Sequence, residues 1–443
     1  MKQKLNLFDF TMIVTGLVIG MGIFRTAATS AKAAGSPDVF FTAWIAGGVI
    51  ALCGALTYAE IGSRYPVNGG YFRIFSYTYH PSVAFAINCI ILISNAASLS
   101  GVALIGAGYI SSAWIPDASN TIKVLIAIAA ILIFYGVNMM GLKMSARTQN
   151  VLMIIKISML LLIIAALFFP AVHADQTAVS SNIHPDAFSW IKALGMAMVA
   201  VSFTYGGYQQ TINFGNEVKQ PARLIPRGIF IGIFIIISLY LLVNFSYYKV
   251  LGFKALTENN EIAGILVSKL IGNTGSKIFS LLLFLSVLAY VNALLMSNPR
   301  VMQAMSEDGV LPKIFSYETK KTNALAVSLT AFAAICIVIL FFSQEFDEIL
   351  GFTIFLDCFG MATSAGAIFK LRRETKHLDG SGIFKMKLYP LLPIVFITAY
   401  SFIAISIAIS EPNAAKTGLL VMAVFVLLYF LLKIVNQKTE KNL

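Results

Sequence analysis

The chain has 443 residues, 58% of them hydrophobic and only 12% charged, with a formal net charge of +12. Soluble proteins average about 25% charged residues, so a soluble globular enzyme, a disordered tail protein and a secreted disulfide scaffold are excluded. At ~20 residues per membrane crossing, a dozen crossings would use roughly 240 residues and leave short connections. The fold class this predicts is an all-α polytopic membrane protein.

The basic residues are spread over short loops, so the bilayer is the expected partner and no nucleic acid is called for. Cys53, Cys89, Cys336 and Cys358 lie inside apolar runs with no metal-ligand spacing, and His80, His173, His184 and His377 fall in or near loops. No metal or cofactor is therefore expected. The apolar run behind the first residues outlasts a signal peptide and lacks a small-residue cleavage pattern, so it reads as a retained span.

Hydropathy windows of ~19 residues predict twelve spans, at 7–33, 38–63, 81–112, 122–140, 148–170, 188–216, 226–251, 277–303, 323–343, 348–371, 386–409 and 416–435. The third exceeds one straight crossing and predicts tilt or bending. With the N-terminus inside, 22 Lys and Arg fall on that side and eight on the other, while Arg25 and Lys156 lie within spans. Lys and Arg favour the cytoplasmic side, so both termini are predicted to be cytoplasmic in a plasma-membrane protein.

The first span reads Gly16-Leu17-Val18-Ile19-Gly20-Met21-Gly22-Ile23-Phe24, with two glycines one residue apart at mid-depth. Asn95, Ser98 and Ser100 of the third span either line a pocket or join helices. The fifth span buries Lys156, eight or so residues from its end; an intramembrane charge is a functional candidate, and snorkelling is the alternative. The sixth reads Ser202-Phe203-Thr204-Tyr205-Gly206-Gly207-Tyr208-Gln209-Gln210, again at mid-depth. Glycine-rich polar runs are poor helix material, and free backbone at that depth survives only where it lines a cavity. Other glycines, such as Gly47-Gly48 and Gly101, read as close helix packing. Asp357 in the tenth span is either a proton site or a structural acceptor, and Arg25 either faces an outer vestibule or snorkels.

The two breaks open corresponding blocks of five spans, which must then run in opposite directions. Interrupted helices at matching places of inverted halves point to a transporter binding site. A half-helix starting near Gly22 offers free N–H groups to a carboxylate. Unwound carbonyls near Val18, Phe203, Thr204 and Gly206 suit an ammonium. An α-amino acid carries both poles. With no acid in either break, a neutral one is favoured.

At these residues the chain resembles the amino acid–polyamine–organocation transporters, and within them the L-type amino acid transporter branch. Four blocks carry the resemblance: Val18 to Phe24, Tyr58 to Tyr71 (YAEIGSRYPVNGGY), Asn216 to Arg227 (NEVKQPARLIPR) and Asn298 to Pro312 (NPRVMQAMSEDGVLP). In the first, Met21 stands where the family usually has serine, which removes a hydroxyl and adds bulk, favouring small side chains.

The resemblance implies a LeuT-like five-plus-five inverted repeat in one transporter domain. Repeat one would cover about 7–170, repeat two about 188–371, and two additional helices about 386–435. It implies alternating access and a sodium-independent exchanger of small neutral amino acids such as alanine, serine, cysteine and glycine. Proton-coupled symport is the alternative. Val18, Ile19, Gly20, Met21, Gly22, Phe203, Thr204 and Gly206 would bind substrate, with Phe203 as the gate. Lys156 would replace sodium, bonding to carbonyls near Gly16 and to Ser286. Glu217, Arg223 and Arg227 would either close an inner gate or form a solvated cluster. The loop after the third span, residues 111–120, has no cysteine, so no disulfide-linked heavy subunit is expected.

Overall fold

The computed structural model describes residues 4–20, 22–115, 118–169, 186–259, 262–341 and 346–441. The described chain is all helical, with two isolated backbone bridges, Leu5 to Val218 and Asn68 to Phe214. In order the helices are α1 (Leu7–Val18), α2 (Gly22–Ala34), α3 (Pro37–Arg64), α4 (Gly70–Thr78), α5 (Pro81–Trp114), α6 (Asn120–Met139), α7 (Leu142–Ala165) and α8 (Ala187–Tyr205). They continue as α9 (Pro221–Leu251), α10 (Phe253–Glu258), α11 (Ile262–Glu307), α12 (Ala326–Phe341), α13 (Phe346–Glu374), α14 (Leu391–Ser410) and α15 (Pro412–Lys441).

Local chemistry sets many of these boundaries. Proline opens α3, α5 and α9, where its missing N–H costs nothing. At α1 the Asn6 side chain accepts from the Asp9 N–H while Asp9 reaches back to the Asn6 N–H. In α11, Gly272 takes φ 70°, so a short helix precedes the long crossing.

Among the described residues, ten helices are long and apolar enough to cross a membrane. The expectation of twelve spans differs from this at two places. The first predicted span is split into α1 and α2, because its glycine-rich centre does not continue the helix. The ninth falls on α12, whose 16 described residues are shorter than a standard crossing.

Small residues let the helices approach. Gly228 and Gly232 of α9, one turn apart, face α1; a Cβ on them would lie 2.5 Å from Phe10 and 2.6 Å from Val14. Gly47 and Gly48 of α3 likewise face Val201, Tyr205 and Ile237. Cys53, Cys336 and Cys358 are buried among these apolar surfaces.

One end of the bundle gathers the two chain ends. The Leu5 N–H donates to the Glu217 carbonyl (2.7 Å) and the Lys219 N–H donates to the Leu5 carbonyl (3.0 Å). The His80 ring stacks on Phe430 of α15. At this end Glu60, fully buried, accepts from Arg64 Nε (2.7 Å), Arg372 Nε (2.7 Å) and the Met386 N–H (2.9 Å), tying α3 to α13 and to the approach to α14. Arg64 also reaches Asp379 at 2.7 Å. A buried carboxylate with three partners satisfies the requirement that buried charge be paired.

Candidate functional site

The site is built where two helices stop. α1 ends at Val18; the Ile19 N–H turns back to the Thr15 carbonyl (2.7 Å) and the Gly20 N–H to the Val18 carbonyl (2.8 Å). α2 begins at Gly22, so its first N–H groups have no partner within the helix. α8 ends at Tyr205, followed by Gly206, by Gly207 at φ +110°, and by a tight helical run from Tyr208 to Asn213.

The breaks meet each other. A Cβ on Gly207 would stand 2.2 Å from the Leu17 carbonyl oxygen, so backbone passes against backbone there. Only glycine combines that positive φ with that approach. A Cβ on Gly22 would stand 2.7 Å from Thr204 Cγ2. The Tyr240 hydroxyl of α9 lies 3.3 Å from both the Val18 and the Thr204 carbonyl oxygens and joins the two cut ends. Those two carbonyls, expected to meet an ammonium, therefore already face a donor.

Lys156 of α7 is fully buried, and its ammonium donates to the Ile19 carbonyl, inside the first break. That carbonyl lies three residues beyond Gly16 in the same span, whereas among the described residues Lys156 makes no hydrogen bond to Ser286. Gly16 packs on Gln149, two turns before Lys156 on α7, and a Cβ there would lie 1.8 Å from Gln149 Nε2. The Ser286 hydroxyl is buried without a hydrogen-bond partner among the described residues.

A cavity of about 580 Å³ opens at the breaks, within the usual range of small-molecule sites. Val18, Gly20, Gly22, Phe203, Thr204 and Gly206 line it. Ile19 sits behind it, buried on Lys156, and Met21 lies outside the described residues. Phe203, on the cavity wall, is 40% exposed. Asn95 and Ser98 line the space, whereas Ser100 bonds to the Ala96 and Cys336 carbonyls and joins helices. The side chain of Arg25 lies outside those described.

The cavity continues to Ala33 near the end of α2 and to Ser410 and Glu411 at the end of α14, away from the chain termini. The termini end is fastened. Glu217 receives two hydrogen bonds from Arg300 of α11, at 2.5 and 3.0 Å, and the Arg300 guanidinium lies 4.5 Å from the Phe214 ring centroid. Arg223 and Arg227 are exposed, so the loop divides between a fastening carboxylate and solvated arginines.

Three residues or groups join the cavity wall in a way the sequence does not show. Asp357 of α13 lines the cavity although it lies 150 residues beyond the second break in the sequence. Gln209 and Gln210 line it too, and Tyr290 places its ring against Gly20 and its hydroxyl 2.9 Å from Ser98. The polar run after Gly207 was a visible signal for the glutamines; nothing local marked Asp357 as a neighbour of the breaks.

Apolar crossings around a cavity bounded by two interrupted helices define a multi-pass membrane transporter. The amino acid permease family profile matches residues 5–432. The chain belongs to that family, and it is a transporter, not an enzyme. Among its relatives is the serine/threonine exchanger SteT of Bacillus subtilis, 26% identical over 427 residues, or 95% of this chain and 94% of that one. The Asc-type amino acid transporter 1 of Mus musculus is 22% identical, covering 97% and 81%. The human large neutral amino acids transporter small subunit 2 is 25% identical, covering 97% and 80%.

Proposed function

We propose that the protein is a sodium-independent exchanger of small neutral L-amino acids across the plasma membrane, working by alternating access. The observation that carries this reading is the meeting of the two breaks at one cavity, with an ammonium already seated on the Ile19 carbonyl. Free N–H groups at the start of α2 suit the substrate carboxylate, and the Phe203 and Gly206 carbonyls suit its ammonium. Lys156 stands in the place of a sodium ion, and Phe203 swings over the bound substrate. Relatives that bear the names serine/threonine exchanger and Asc-type transporter support both the exchange mode and a small substrate.

The same reading counts twelve crossings, with α1 and α2 as one and α12 as another. α1 to α7 form one repeat, α8 to α13 its inverted copy, and α14 and α15 the additional pair. It puts the end that holds both termini in the cytoplasm, so the cavity faces outward. The rival reading, proton-coupled uptake, draws on Asp357 at the cavity wall. Counterflow in proteoliposomes tests both. Exchange requires amino acid inside and no sodium; uptake into empty vesicles driven by a pH gradient supports the rival. Uptake driven only by sodium refutes both.

A further inference from the structure

The cavity wall contains a chain of amides whose direction is fixed. Asn298 Nδ2 donates to the Leu294 carbonyl (3.0 Å), which can only accept. Asn298 Oδ1 must then face its neighbour, and it receives Asn95 Nδ2 at 2.7 Å. Asn95 Oδ1 in turn receives Gln210 Nε2 at 3.1 Å. The atom left at the end of this chain is Gln210 Oε1, a buried acceptor with no hydrogen-bond partner among the described residues, on a residue that lines the cavity. Gln210 is 6% exposed. A buried acceptor left unpaired is destabilising, so a donor completes it.

Asp357 lines the same cavity, with no Lys or Arg within 4 Å of its carboxylate among the described residues. The other charged residue among the described lining is Glu411, at the mouth. Two carboxylates and an acceptor amide make this wall one that receives protons and positive charge. The α-carboxylate and α-ammonium of a substrate are already assigned to the breaks, so neither accounts for it.

We propose that Asp357 and Gln210 form a side-chain subsite for a second ammonium, so that the substrates include short diamino monocarboxylic acids besides neutral amino acids. The proposal rests on the exchange reading of the same site. Asp357 supplies the charge and Gln210 Oε1 one oriented acceptor, and an ammonium has three donors to offer. Close charge pairs across an interface couple by about 1.5 kcal/mol or more, which is at least ~tenfold in relative affinity.

The test is competition for labelled alanine exchange in proteoliposomes by 2,3-diaminopropionate, 2,4-diaminobutyrate and norvaline, at a pH where both amines are charged, together with ligand-induced thermal shifts of the purified protein. The expected result is competition by a diamino acid in wild type. Asp357→Asn lowers the diamino acid to norvaline affinity ratio at least ~tenfold, and Asp357→Glu restores part of it. If wild type exchanges alanine but no diamino acid competes or shifts the melt, or if the ratio is the same in Asp357→Asn, the subsite is refuted and the exchange reading stands. An Asp357→Asn effect confined to pH-gradient response also refutes it, and makes Asp357 a proton site. Should Asp357→Asn fail to fold, the wild-type profile and the Gln210→Met ratio decide. If no amino acid is exchanged or shifts the melt, the exchange reading itself fails.

Discussion

The ammonium of Lys156 on α7 donates to the carbonyl of Ile19, the residue at which α1 has just stopped being a helix. A charged donor buried in the bundle thus holds an acceptor that the break exposes. Each explains the other's place.

Lys156→Met removes that donor and leaves the Ile19 carbonyl buried. A hydrogen bond to a charged group contributes about 1.5–3 kcal/mol, roughly ten- to a hundredfold in an equilibrium. Counterflow by the variant should therefore fall at least ~tenfold at equal amounts of reconstituted protein. A rate within twofold of wild type would show that the break holds its shape without the lysine.

Gly207→Ala and Gly22→Ala should differ in kind. At Gly207 the new methyl meets the Leu17 backbone and the residue must keep φ +110°. Backbone strain of this sort costs about 1–3 kcal/mol, and the clash adds to it, so this variant should lose exchange and melt earlier. At Gly22 the obstacle is the Thr204 side chain. Adding Thr204→Ala should recover thermal stability there, whereas no single side-chain truncation should rescue Gly207→Ala. Equal melting temperatures for wild type and Gly207→Ala would contradict the backbone contact.

Asp379, in the connection between α13 and α14, gives a pH prediction. Hydrogen bonds from Lys385, and then from Arg64, hold its carboxyl down at about 2. A carboxyl depressed on folding adds stability that is complete above its unfolded value, near 4, and is lost as pH falls toward 2. Asp379→Asn should thus lower the melting temperature at pH 7, and the gap to wild type should shrink as pH drops from about 4 toward 2. A gap that does not change with pH would mean that Asp379 acts by packing alone.

Much of this architecture was legible because lipid punishes irregular backbone. Gly20-Met21-Gly22 and Gly206-Gly207 broke an otherwise apolar pattern, and the helices end there. The prediction that free carbonyls at both breaks wait for an ammonium was incomplete, since Tyr240 reaches two of them from α9, far along the chain. Asp357 illustrates the same limit. Hydropathy shows that an acid lies in a span but says nothing of which cavity the span borders. The Glu60 cluster was hidden for another reason: its partners Arg372 and Met386 lie over three hundred residues away, and only packing brings them to one carboxylate.

The main chain from Phe214 to Lys219 holds Leu5 on both sides, and the Phe214 and Glu217 side chains hold Arg300. Because one short strap fastens two separate parts of the bundle, letting go of either loosens the other. A substitution that frees Arg300 should therefore also weaken the backbone pairing at Leu5, read as faster hydrogen exchange of the Leu5 and Lys219 amides.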